Sequence, residues 1–186
     1  MNDSPGSGLN NPEFYTYILV KGGIIHKVIR RFSSGQRRRV TRKDLKEFTK
    51  SCLYIGKGIR GRKTHHLKQA EKASYDEIGL VENKQKILGI LYTWAQGLGL
   101  AILQIGNDTN HFEACSKEFS VIKAIGLNHL TNKINAACYR DIKSKWSGIE
   151  VVNYGRMLLH NTLISCISDK PNVYYKGDIF TTFNQG

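Results

Sequence analysis

The sequence predicts a small α+β domain: a central antiparallel sheet of about three strands, flanked by helices, with a helical extension at its C-terminal end. Three observations carry that expectation. Short runs rich in aromatic and β-branched residues recur at "FYTYILV", "SCLYI" and "LAILQI". Between and after them, apolar residues return at helical spacing. The chain, at 186 residues, is long enough for one domain with a real core.

Residues 1–12 are polar and read as a disordered leader, with no signal-peptide pattern. The first strand, Phe14 to Val20, places Tyr15, Tyr17 and Leu19 on one face. From Lys21 to Lys50 the chain alternates apolar clusters with "RRFSSGQRRRVTRK", which reads as a long basic hairpin loop. "SCLYI" returns as a second strand, paired antiparallel to the first.

"RKTHHLKQAEKA" contains good helix formers. A longer helix is expected from Glu82 to Gln96, where Ile87, Leu91, Trp94 and Ala95 share a stripe. "LAILQI" supplies the third strand. Asn110, three residues before Glu113, then caps a helix over 112–125. "YGRMLLHNTLISCI" predicts one more amphipathic helix, and "NVYYKGDIF" a terminal extended segment.

The charge is concentrated. Of 28 basic and 15 acidic residues, 17 basic and 3 acidic ones fall between Lys21 and Lys72, which leaves 11 basic and 12 acidic ones elsewhere. Such a patch attracts polyanions and releases their counterions, so nucleic acid is the expected partner. No apolar run approaches the roughly 18 residues of a membrane span. The four cysteines, Cys52, Cys115, Cys138 and Cys166, form no C-x-x-C pair and read as reduced, buried thiols. The expectation is a soluble protein inside the cell, in nucleus or cytoplasm.

"CLYIGKGIRG" contains a formal G-x-G-x-x-G. A dinucleotide cradle requires an apolar helix next and a carboxylate after a further strand. The residues that follow are Arg62-Lys63-Thr64-His65-His66, too polar to pack closely on a parallel sheet. G-x-x-x-x-G-K-[ST] is absent, which removes the P-loop reading as well.

Tyr17 in "YTYIL", "YIGKG" at Tyr54, Arg62, a later helical glutamate and the asparagine of "LTN" together resemble the GIY-YIG nuclease superfamily. The similarity covers about residues 13–137, leaving 138–186 as the extension, and is strongest to the ankyrin-repeat and LEM-domain nucleases of animals. The first motif reads Tyr15-Thr16-Tyr17 in place of Gly-Ile-Tyr, and the basic insertion is longer than usual. Ankyrin and LEM modules are not in this sequence, which reads as a separate small nuclease or an excised domain.

The resemblance implies a metal-dependent endonuclease acting on branched DNA such as junctions and flaps. It implies that Tyr17 and Tyr54 deprotonate and position water; Tyr54 is the favoured base. A cationic surrounding is expected to lower their pKa. Lys57 corresponds to a basic position of related excision-repair nucleases. Arg62 aligns with the family's phosphate-binding arginine, with Arg60 as the alternative register. Asn132 matches a bracing asparagine. His66, one turn past Arg62, is expected to assist proton transfer or contact phosphate, and Gly56 to let backbone approach the substrate.

Glu118 is reached by periodicity as well. Glu113, Lys117 and Ser120 share a polar face, whereas Glu118 stands in line with Ala114, Val121 and Ile125. A carboxylate on an apolar face needs a cation. The family's glutamate also precedes an aliphatic by four positions, as Glu118 precedes Ile122. One Mg2+ or Mn2+ suits a single carboxylate completed by phosphate and water. Arg37, Arg38 and Arg39 are expected to bind phosphates without reading sequence.

Overall fold

The computed structural model describes residues 14–35, 39–59, 64–73, 84–106, 110–134 and 144–178. Four strands form one antiparallel sheet in the order β2-β1-β3-β4, with β1 at Phe14–Lys21, β2 at Cys52–Ile59, β3 at Leu100–Gln104 and β4 at Val173–Tyr174. β1 is central, which explains why its six middle residues are all buried. The fourth strand goes beyond the expected three: the terminal segment pairs Val173 with Ala101 and Tyr174 with Leu100.

The basic insertion is helical, not a hairpin loop. It forms α1 (Gly22–Ser33) and α2 (Arg42–Ser51). Ile25, Val28 and Ile29 recur at i, i+3 and i+4 and are buried, so α1 turns its charges outward. α2 begins with a capping box: Thr41 Oγ1 accepts from Asp44 N, and Asp44 Oδ2 accepts from Thr41 N at 3.0 Å. Arg31 of α1 clamps buried Asp44 at 3.2 Å and Glu47 at 2.7 Å, which ties the two helices. Charge density in the sequence conceals both apolar stripes.

Helix α3 spans His65–Lys72 and α4 Lys84–Ala95. On α4 the expected Ile87, Leu91 and Trp94 are buried and Ala95 is exposed, while Lys86, Ile90 and Thr93 widen the stripe beyond the expected one. α5 (His111–Ile125) starts at Asn110, whose side chain accepts from Glu113 N at 2.9 Å. α6 (Gly148–Ser168) is longer than "YGRMLLHNTLISCI", because Ser147 and Glu150 make a capping box upstream of it.

The sheet divides two cores. Ile18, Val20, Ile55 and Leu103 face α1, α2, α5 and α6. Leu19, Leu53 and Leu100 face α3 and α4. The alternation of β1 puts Tyr15 and Tyr17 on the second face, with Leu19. Among the described residues, no helix is long and apolar enough to cross a membrane.

Candidate active site

Pairing of β1 with β2 sets Tyr17 opposite Gly56 and Leu19 opposite Tyr54, so the two tyrosines are diagonal neighbours on one face. Their ring centroids are 6.1 Å apart. Tyr15 follows Tyr17 on the same face at 5.7 Å, and its cross-strand partner is Gly58. A Cβ at position 56 would lie 2.8 Å from Tyr17 Oη and 2.6 Å from Tyr54 Cε1. Gly56 is therefore a seat for two aromatic rings. That packing reason differs from the substrate access expected of it.

Both phenols are pushed up, which corrects the expected lowering. Burial is the main cause for each, and the charge of Glu118 adds to it. Tyr54 is raised to about 12 and Tyr17 further. The interaction between the two phenols separates them, raising Tyr17 and lowering Tyr54. Tyr54 is thus the easier of the two to ionise.

Glu118 is 8% exposed on α5. Burial raises its carboxyl to about 7, opposed by the ammonium groups of Lys57 and Lys86. The contrast of faces from which it was read does not hold, because Lys117 and Ser120 are buried too. Lys117 pairs with Glu113 at 2.8 Å. The middle of α5 is enclosed on every side, and Glu118 is the acid among those buried positions.

Lys57 alternates to the other face of β2 from Tyr54. Its Nζ meets the first turn of α5 at His111 Nε2 (2.9 Å) and Cys115 Sγ (2.8 Å). Tyr17, Lys57, His66 and His111 line a cleft of about 370 Å³. The His66 ring stacks on Tyr17 with centroids 6.4 Å apart and meets Tyr54 edge-on at 5.9 Å. Burial and the charge of Lys86 lower His66 to about 4, so its ring is neutral.

Asn132 lies on the free edge of β2. Its Oδ1 accepts from Ile55 N at 3.0 Å, and its Nδ2 donates to Ile55 O at 2.7 Å. Thr131 donates its backbone N–H to Leu53 O at 2.8 Å. The pair "TN" extends the ladder beside Tyr54 and braces its strand. Arg39 is exposed ahead of α2. Arg37, Arg38, Arg60 and Arg62 lie outside the described residues.

Lys86 is the site residue that the sequence reading missed. It is 3% exposed, with Nζ 3.0 Å from His66 Nε2 and 3.8 Å from the centroid of the Tyr54 ring. Its signal was periodic: Lys86 precedes buried Ile90 by four positions and buried Thr93 by seven.

The donors suit a hard cation that brings most of its own ligands. Glu118 offers one carboxylate, and among the described residues no three His, Cys, Asp or Glu side chains gather as a metal cluster. Phosphate oxygens and water would complete an octahedral shell around such an ion.

Two tyrosines on one face of paired strands, both under the charge of a buried helical glutamate, accompany a family match that places the chain among endonuclease domains of the GIY-YIG type. It belongs to the LEM-3-like GIY-YIG domain family, whose family model matches residues 14–179. The ankyrin repeat and LEM domain-containing protein 1 homolog of Caenorhabditis elegans is 29% identical over 119 residues, which are 64% of this chain and 17% of that protein. Ankyrin repeat and LEM domain-containing protein 1 of Homo sapiens is 28% identical over 138 residues, 73% of this chain and 22% of that protein. The chain thus spans about a fifth of the length of the curated relatives it matches. No solved structure gives a significant match. Nucleases of this type are generally dependent on a divalent metal.

Proposed function

We propose that this domain is a metal-dependent DNA endonuclease acting on branched DNA, junctions and flaps, in the nucleus or cytoplasm. The convergence of Tyr17, Tyr54 and Glu118 carries the hydrolytic reading. Tyr54 as phenolate takes the proton of the attacking water, and Tyr17 supports it from the neighbouring strand. Glu118 would hold one Mg2+ or Mn2+, which when bound would supply positive charge to the leaving oxygen. Lys57 faces the phosphate from the cleft wall, and Arg62 or Arg60 grips its oxygens. Asn132 keeps β2 in register.

The placement of charge favours a branched substrate. α1 and α2 pack on the sheet face opposite Tyr17 and Tyr54, and they expose Lys27, Arg30, Arg42, Lys43 and Lys46. With exposed Arg39, they offer a second duplex a surface apart from the cleft.

Cleavage of end-labelled flap, four-way and linear duplex DNA in Mg2+ or Mn2+ tests the reading. Flaps and junctions are expected to be cut faster than linear duplex. Equal cutting would overturn the branched preference, and no cutting of any DNA the nuclease itself. In the triple variant Arg39→Gln, Arg42→Gln, Lys43→Gln, binding to a four-way junction should weaken and the slope of log K against log salt should fall by roughly 2 to 3. Linear duplex should be affected less. An unchanged slope on junctions would remove the helical hairpin from the interface.

A further inference from the structure

We propose that Lys86 is a positioning residue of this nuclease site: its ammonium, buried between His66 Nε2 and the face of the Tyr54 ring, orients both side chains for the reaction. The inference rests on the nuclease reading above, and nothing in the family motifs points to this lysine.

A lysine is seldom buried, because its charge is costly away from water. Here α4 carries Lys86 inward to 3% exposure, among residues that the tyrosine cluster also uses. Nζ sits 3.8 Å from the Tyr54 centroid, within range of a cation–π contact, and 3.0 Å from His66 Nε2, with Nδ1 farther away at 3.4 Å. On the other side of the imidazole, Gln69 Oε1 is 3.3 Å from Nδ1. Being close to both ring nitrogens, the ammonium lies against the imidazole, while Gln69 holds its Nδ1 side. Lys86 and Gln69 together fix the place of the His66 ring, which in turn stacks on Tyr17.

The groups facing this imidazole are Tyr17 from β1, Tyr54 from β2, His65 and Gln69 from α3, and Lys86 from α4. Lys86 is the lysine among them. Together with burial it opposes protonation of His66. One ammonium thus helps keep the histidine neutral while holding the ring of Tyr54.

The test is Lys86→Met, which keeps an unbranched chain of similar length and removes the charge. Single-turnover cleavage of a flap substrate should slow by roughly 10²-fold, a loss of alignment rather than of binding, with DNA affinity within about threefold of wild type. In 15N-labelled protein without DNA or metal, His66 should resist protonation; in Lys86→Met it should titrate closer to 6.5, with burial still holding it below that value. An unchanged cleavage rate, or an unchanged His66 titration, would overturn the proposal. If wild type cuts no DNA, the nuclease reading fails by itself, and the nitrogen spectra still decide whether Lys86 sets the state of His66.

Discussion

Glu118→Gln is expected to abolish cleavage and to make the metal-free protein more stable above pH 7. Glutamine has the shape of a protonated glutamic acid, so it reproduces the neutral form that the buried site prefers. The carboxyl of Glu118 is raised from an ordinary 4.5 to about 7. Folding therefore favours its proton, and stability is lost as pH rises from about 4.5 through about 7. Above that window the ionised carboxylate costs about 3 kcal/mol, because burial outweighs the help of Lys57 and Lys86. The difference in Tm between variant and wild type should be near zero below pH 4.5, grow through the window and level off above 7. Added Mn2+ should raise the Tm of wild type and not that of Glu118→Gln. Cleavage should fall by about 10³-fold. A Tm difference independent of pH would refute the buried-acid account, and cleavage within threefold of wild type would remove Glu118 from the chemistry.

What the sequence discloses depends on how local each cause is. β1, β2 and β3 are legible because aromatic and β-branched residues crowd into short runs, and α5 because Asn110 marks its start. α1 and α2 are obscured by a charge run that suits a loop as well as a solvated helix face; the Thr41 and Asp44 box was the local clue. Tyr17, Tyr54 and Asn132 stand out by motif. Their geometry does not, since the hydrogen bonds of Asn132 to Ile55 join residues 77 apart. Lys86 and the raised phenols share one cause: enclosure by α3, α4 and the sheet, which exists only after folding. Charge in the chain predicts a cationic site, whereas burial determines what its tyrosines do.

Enclosure also makes the packing behind α5 a condition of activity, and Gly155→Ala should show it. Gly155 of α6 lies against the backbone of α5: a Cβ there would stand 2.0 Å from Ser120 O and 2.5 Å from Ser120 C. Backbone cannot swing aside as a long side chain can. α5 has no room to retreat, since its residues from Ala114 to Ile122 are all buried. α6 must move outward instead, which loosens Leu158, Leu159 and Leu163 from the main core. Overpacking of this kind costs about 3 kcal/mol, against a gain of about 1 kcal/mol from alanine's better helix propensity. The net loss of about 2 kcal/mol lowers Tm by roughly 4 to 8 °C for a chain of this size. Glu118 is two residues from Ser120, so the same displacement disturbs the acid, and the cleavage rate should fall by more than the fraction unfolded explains. Gly148→Ala is the control on the same helix, because nothing lies within 4 Å of its added Cβ. It should leave cleavage unchanged and hold or raise Tm. If the two alanines behave alike, the close crossing of α5 and α6 does not govern the position of Glu118.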